Sequence, residues 1–193
     1  MIALTPVIEE EASEILRTLP ARISDVVTPW AEKSPDSAAL VEASRTWTYR
    51  QLAFAITEAQ LWLRKLGVRP GDRVMIVGEN CREFVAMLLA AAALDAWPVL
   101  VNANLSAPEI DQIRDHCGAR RVFYTTSVSP HAVEHARRHG AAVEEVHGLG
   151  SIAVGGLNDT VEPEAIEASI PDRVAALIYT SGTTGLPKGV MLS

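Results

Sequence analysis

Tyr179-Thr180-Ser181-Gly182-Thr183-Thr184-Gly185-Leu186-Pro187-Lys188-Gly189 lies near the end of the chain, and its reading decides the fold. These residues bring together hydroxyl side chains, three glycines and one lysine. An apolar run, Val174 to Ile178, leads straight into them. Glycine lets backbone N–H groups turn toward an anion, because no Cβ blocks the conformations such a turn needs. Hydroxyls add short hydrogen bonds to phosphate oxygens or ligate Mg²⁺, and lysine supplies a compact positive charge. By composition the stretch is a polyphosphate cradle.

The Walker loop, G-x-x-x-x-G-K-[ST], is the obvious competitor and fails at two positions. Counting from Gly182, the second glycine is replaced by Pro187, and Gly189 stands where Ser or Thr should follow Lys188. That loop also needs a helix beginning at its lysine, whose N-terminus holds the phosphate. Here Lys188-Gly189-Val190-Met191-Leu192 reads as a second apolar strand, so the stretch is expected to join two strands as a hairpin. A bare Ser/Thr/Gly surface loop is the bland alternative.

Every position of YTSGTTGLPKG matches the phosphate-binding motif of the adenylate-forming enzymes, and the chain resembles that superfamily: acyl-CoA synthetases, luciferases and peptide-synthetase adenylation domains. Further upstream, Thr48-Tyr49 with Leu52 resembles the family's early T-Y-x-x-L stretch, and Gly67-Val68 with Gly71-Asp72 its G-V-x-x-G-D step. Asn102-Ala103-Asn104-Leu105-Ser106 is similar to its N-P-x-L-S loop, with Ala103 in place of proline. The resemblance covers about Ile23 to Ser193.

The resemblance implies ATP-dependent activation of a carboxylic acid, fatty or other organic, to an acyl-adenylate. The acyl group then passes to a thiol, commonly coenzyme A. ATP and Mg²⁺ are the implied cofactors, coenzyme A the co-substrate. It further implies that Thr180, Ser181, Thr183 and Thr184 donate hydroxyls to the β- and γ-phosphates, with the Ser181 hydroxyl on or near the metal. Gly182, Gly185 and Gly189 would allow the turn, and Lys188 would offset phosphate charge. The family's adenine pocket, acyl pocket, metal-binding glutamate and adenylation lysine all lie beyond its cradle. The 193 residues are therefore expected to be an N-terminal portion without a catalytic residue of its own, inactive in ATP–pyrophosphate exchange and prone to self-association. A module that loads a carrier protein, and a non-catalytic nucleotide-binding or interaction domain, are the alternatives.

Composition sets the outer bounds. Hydrophobic residues make up 48% and charged residues 21%, which is globular. A net charge of −7 argues against a nucleic-acid or anionic-membrane surface, so a polyanion site has to be built locally. Two cysteines, Cys81 and Cys117, and no basic leader suit a reducing cytoplasm. Phe84 to Val101 is apolar but is broken by Asp95 and Pro98, and reads as buried core rather than a membrane span.

Along the chain, Ile8, Ala12, Ile15, Leu16 and Leu19 mark an N-terminal helix over 6–19. A helix near Ser24, disturbed by Pro29, follows, and then two short strands over Ala38–Val41 and Arg45–Thr48. Thr48 and Gln51 predict a capping box for a helix that Gly67 stops; Asn80 with Glu83 and Ser106 with Glu109 predict two more. Strands are expected at Arg73–Val77, Trp97–Val101, Arg121–Thr125 and Val174–Tyr179, with a weaker one at 141–146. Ser129-Pro130 opens a helix that Gly140 closes. Residues 147–172 read as an irregular connection with a short helix at Pro163–Ala168. The division is thus an N-terminal helix in 1–22, an α/β core over 23–146, a connection over 147–172, and strand, loop and strand start over 173–193, all of one partial domain. Strands alternating with helices imply an α/β fold, a mostly parallel, doubly wound sheet with helices on both faces, and ligands beyond the carboxyl ends of its strands.

Four further groups of residues could carry chemistry or packing. His131, His135 and His139, four apart, could line a helix and bind zinc, but a solvated helix face is the expected reading. His116-Cys117 at a helix end is expected to be structural, because thiolates are stabilised at helix N-termini. Trp30, Trp47, Trp62 and Trp97 are expected in the core. Asp95 and Glu79 are expected in turn or cap roles.

Overall fold

The computed structural model describes residues 18–180 and 187–193. The helix expected over 6–19 falls almost wholly outside these residues. After a 3₁₀ turn at Ile23–Asp25 comes α1, Thr28–Lys33, with Pro29 in its first turn. Proline therefore starts this helix rather than disturbing it, since the missing N–H is one that a first turn leaves unpaired anyway.

Strands β1 (Ala38–Val41) and β2 (Thr46–Thr48) form a separate antiparallel pair. Helix α2, Tyr49–Lys65, begins on the predicted capping box: the Thr48 hydroxyl accepts from Gln51 N, and the Gln51 side chain accepts from Thr48 N at 2.9 Å. Gly67 ends it at φ +81°, a left-handed conformation that glycine adopts without a Cβ penalty.

The main sheet has seven strands in the order β6-β7-β5-β3-β4-β8-β9. Its centre is parallel: β5 (Arg121–Tyr124), β3 (Arg73–Gly78), β4 (Trp97–Asn102) and β8 (Ala176–Thr180) run the same way. Both margins are antiparallel, with β6 (Ala142–Val146) and β7 (Gly150–Val154) on one side and β9 (Lys188–Leu192) on the other. The α/β doubly wound architecture holds, and the sheet is mixed.

Alternation along the strands splits the core into two layers. On one face Val74, Ile76, Phe123, Ile152 and Val154 pack under α2 and α3, Arg82–Ala93. On the other, Met75, Val77, Val99, Val101 and Tyr124 pack under α4, Ala107–Cys117, and α5, Pro130–Arg138. The apolar stretch from Phe84 is thus the buried helix α3 followed by β4. No described helix is long and apolar enough to cross a membrane.

Several local expectations are corrected. Residues 147–172 contain β7, in which Ile152 and Ala153 are fully buried. Two glycines open this strand: Gly148 and Gly150 take φ +72° and +101° where the chain reverses from β6. No helix forms at Pro163–Ala168, where arginines of the preceding core hold the backbone extended. Arg69 donates to Val161 O at 3.0 Å, Arg73 to Glu162 O at 3.1 Å, and Glu164 N to Gly71 O at 3.0 Å. Helix α3 lacks the Asn80–Glu83 cap. Its N-cap is Cys81, and Glu42 from the end of β1 accepts from Arg82 N at 2.8 Å instead. Ser106 and Glu109 do form their box, and Ser129 caps α5 by accepting from Ala132 N at 3.2 Å. Trp30 lies about half exposed, stacked on Tyr49, outside the core; Trp62 is buried and donates from its indole to Glu144 at 2.8 Å.

Candidate functional site

The parallel strands end on one edge of the sheet, at Gly78, Asn102, Tyr124 and Thr180. The chain leaves β3 into α3 on one face and leaves β4 into α4 on the other. Adjacent strands whose connections diverge in this way leave a crevice between their carboxyl ends. A cleft of about 500 Å³ lies there, lined by Gly78, Glu79, Asn80, Phe84, Asn102 and Asn104 among others. Glycine is required at 78, because a Cβ there would sit 2.0 Å from Thr125 Oγ1. Glu79 accepts from the Ser129 hydroxyl at 2.8 Å, and Asn102 Oδ1 accepts from Asn104 N at 2.9 Å. Ala103, where the related motif has proline, is fully buried, and its carbonyl meets His135 Nε2 at 3.1 Å.

Next to β4 stands the hairpin that carries the candidate cradle. Leu100 of β4 pairs with Ile178 of β8, so the two strands reach the same edge together. Strand β9 returns antiparallel, with Thr180 opposite Lys188 and Tyr179 opposite Gly189. The two ends of the stretch are therefore paired antiparallel strands, and the Walker geometry is excluded because a strand, not a helix, begins at Lys188. Of the expected phosphate ligands, Ser181, Gly182, Thr183, Thr184 and Gly185 lie outside the described residues. Thr180 and Lys188 stand exposed at the two stems. Among the described residues Lys188 has no ion-pair partner, so its ammonium is available to an anion. A hydroxyl and an unpaired ammonium at the mouth of a hairpin suit a polyphosphate and its metal.

Gly189 is placed differently from expectation. It is a strand residue outside the left-handed region, so it does not serve the turn. Its backbone lies against the Tyr179 ring, and a Cβ there would be crowded at 3.1 Å from Tyr179 Cζ.

The histidines are not a solvated face. His131 is exposed, but His135 is buried and His139 sits at the end of α5 between Tyr124 and Asp111. Cys117 and Cys81 are buried and unpaired; burial pushes their thiols up to about 12 and about 11, which makes both poor nucleophiles. The role of Asp95 was only half legible. It takes φ +55° in the turn before β4, as a turn residue should, and it also anchors Arg22 at 2.6 Å and Arg173 at 3.1 Å. The cleft was missed because its two halves, Gly78-Glu79-Asn80 and Asn102-Ala103-Asn104, look like separate turns until the sheet sets them side by side.

Comparison with known proteins agrees with this geometry. The sequence pattern of the AMP-binding enzyme family matches residues 27–193. A 4-coumarate–CoA ligase of Oryza sativa subsp. japonica is 34% identical over 155 residues, 79% of this chain and 28% of the relative. A fatty acid–[acyl-carrier-protein] ligase, ScoC, of Streptomyces coeruleorubidus is 33% identical over 84% of this chain and 31% of the relative. The chain thus spans about a third of the length of these relatives. Among solved structures, a Mycobacterium tuberculosis fatty acyl CoA synthetase superposes with a TM-score of 0.67 at 26% identity, covering 90% of this chain and 34% of that one. The O-succinylbenzoate coenzyme A synthetase of Bacillus subtilis, in complex with AMP, gives a TM-score of 0.60 at 28% identity over 86% of this chain and 41% of that one.

Proposed function

The chain belongs to the AMP-binding enzyme family, and from that premise we propose that its hairpin from Tyr179 to Gly189 holds the β- and γ-phosphates of ATP with Mg²⁺ in an acid–thiol ligase. The observation that carries the reading is the pairing of Thr180 with Lys188 at the carboxyl edge of the parallel strands. This places a hydroxyl opposite a cation that has no ion-pair partner among the described residues. In the proposed reaction a carboxylate oxygen attacks the α-phosphorus of ATP, and the bond to the β-phosphate oxygen breaks to release pyrophosphate. A thiol sulfur then attacks the acyl carbon and AMP leaves. Lys188 offsets charge on the departing pyrophosphate, and the loop hydroxyls of Thr180, Ser181, Thr183 and Thr184 donate to its oxygens, with Ser181 on or near the metal. Donors aligned in advance with developing charge are the main resource for such a step. The two buried, unpaired thiols support a reducing, cytoplasmic setting.

The acceptor has two readings, each with a relative behind it. One relative is named as a CoA ligase at 34% identity, the other as an acyl-carrier-protein ligase at 33%. We take coenzyme A as the first reading, carrier protein as the second. Titrating Mg-ATP into the protein by calorimetry tests the cradle. Lys188→Ala should weaken binding about tenfold, the loss of one charged hydrogen bond. Equal binding by the wild type and Lys188→Ala would remove the lysine from the site, and no binding by either would leave a nucleotide-free interaction domain.

A further inference from the structure

Tyr179 makes two contacts on its two sides. Its hydroxyl lies 2.8 Å from Nδ1 of His116, a residue in the last turn of α4 and 63 positions away in sequence. The two rings meet edge to face, with centroids 5.7 Å apart and planes at 86°. Toward β9, the Tyr179 ring closes over the backbone of its cross-strand partner Gly189, where a Cβ would be 3.1 to 3.3 Å from the ring and its hydroxyl. Burial chiefly pushes the Tyr179 hydroxyl up to about 12, so it remains protonated through the physiological range.

This matters because β9 is otherwise weakly held. Among the described residues it pairs with β8 alone, and all five of its residues are exposed. Register in an exposed edge strand is poorly specified, and a slip of one residue turns every side chain to the opposite face. Such a slip would carry Lys188 away from the face it shares with Thr180.

We propose that His116, Tyr179 and Gly189 form a clamp that locks β9 in register, so that His116 and Tyr179 are positioning residues acting on the polyphosphate site through Lys188. Helix α4 supplies a fixed point, Tyr179 carries it to the hairpin, and glycine at 189 leaves the ring room to lie against the strand. The final glycine of the motif is on this account a packing requirement of its first tyrosine. The inference rests on the proposed polyphosphate reading only for its consequence, not for the clamp itself.

Two readouts on the full chain separate them: Mg-ATP affinity by calorimetry and amide hydrogen exchange over residues 188–191. Tyr179→Phe and His116→Ala should each accelerate exchange there about fivefold and weaken Mg-ATP by a similar factor, the effect of one net hydrogen bond. The double variant should be no worse than either single, because the two remove the same contact. His116→Gln, whose amide oxygen can accept from the tyrosine hydroxyl, should recover both. The melting temperature should stay near wild type, and Lys188→Ala should weaken Mg-ATP without changing exchange. Unchanged exchange in Tyr179→Phe and His116→Ala, or additive effects in the double variant, overturns the clamp. If the wild type binds no Mg-ATP, the polyphosphate reading falls, and exchange alone still decides the clamp. Gly189→Ala should produce the largest acceleration, and an unaltered rate in it also counts against the proposal.

Discussion

Single residues in this protein take their properties from neighbours far away in sequence, and His139 shows how. The Tyr124 hydroxyl hydrogen-bonds with its Nδ1, and its Nε2 lies 2.8 Å from Asp111 Oδ1. Arg114 and Arg138 also face the cluster, at 3.3 Å and 2.6 Å from Asp111. Burial chiefly lowers the His139 pKa below its ordinary 6.5, the Asp111 hydrogen bond opposing that shift. The Arg138 hydrogen bond is the main reason Asp111 lies below its ordinary 3.8. Both folded values lie below the unfolded ones, so the unfolded chain takes up protons first as pH falls and the folded state loses stability. Melting temperature should therefore hold steady above about pH 7, fall as pH drops below about 6.5, and fall again below about 4. His139→Gln should flatten the upper limb alone. A limb unchanged by that substitution would show that another group controls it.

At the scale of elements, helix ends separate what local chemistry decides from what the fold decides. Thr48 with Gln51 and Ser106 with Glu109 are capping boxes whose partners lie three residues apart, so the sequence alone announces them. Helix α3 uses Glu42, forty positions away, to accept from Arg82 N, and the same carboxylate approaches the Arg82 guanidinium at 3.6 Å. This ties the small β1–β2 pair to the main sheet. Glu42→Ala should lower unfolding free energy by about 1–2 kcal/mol in urea titration, the usual loss for a cap. Asn80→Ala, at the position where a local rule would put the cap, should change it by less than about 0.5 kcal/mol. Equal effects would return the cap to Asn80. Strand β7 makes the same point: its five residues from Gly150 to Val154 are too few for a periodic signal, and only pairing with both β6 and β5 makes them a strand.

The whole molecule is organised by its sheet, and the two margins of that sheet differ. Both β6 and β9 are edge strands, but β6 exposes Val143 alone among its large apolar side chains, whereas β9, with no further strand beside it among the described residues, exposes Val190, Met191 and Leu192, with Ile178 exposed on the neighbouring strand. An exposed apolar edge strand is a template for another strand. The isolated 193-residue chain should therefore pair with a second copy through β9. Light scattering should show mass rising with concentration, and Met191→Lys should return the protein toward monomer. A clean wild-type monomer at high concentration would rule the pairing out.

What the sequence by itself determined is the motif, the alternation of strands and helices, and the family. These are properties of neighbouring residues: an eleven-residue string, a period of two or of 3.6, a cap and its partner three positions on. What only the tertiary structure decided is the long-range set: β7 between β6 and β5, Glu42 as the cap of α3, Asp95 between two arginines, His116 on Tyr179, and the cleft between Gly78 and Asn102. Each joins residues tens of positions apart, and their meeting depends on strand order and register, which a single chain does not display until it is folded. Gly189 stands at the boundary. Its presence in the motif was plain, but its close contact with the ring of the tyrosine across the strand pair became visible only when β9 was laid against β8.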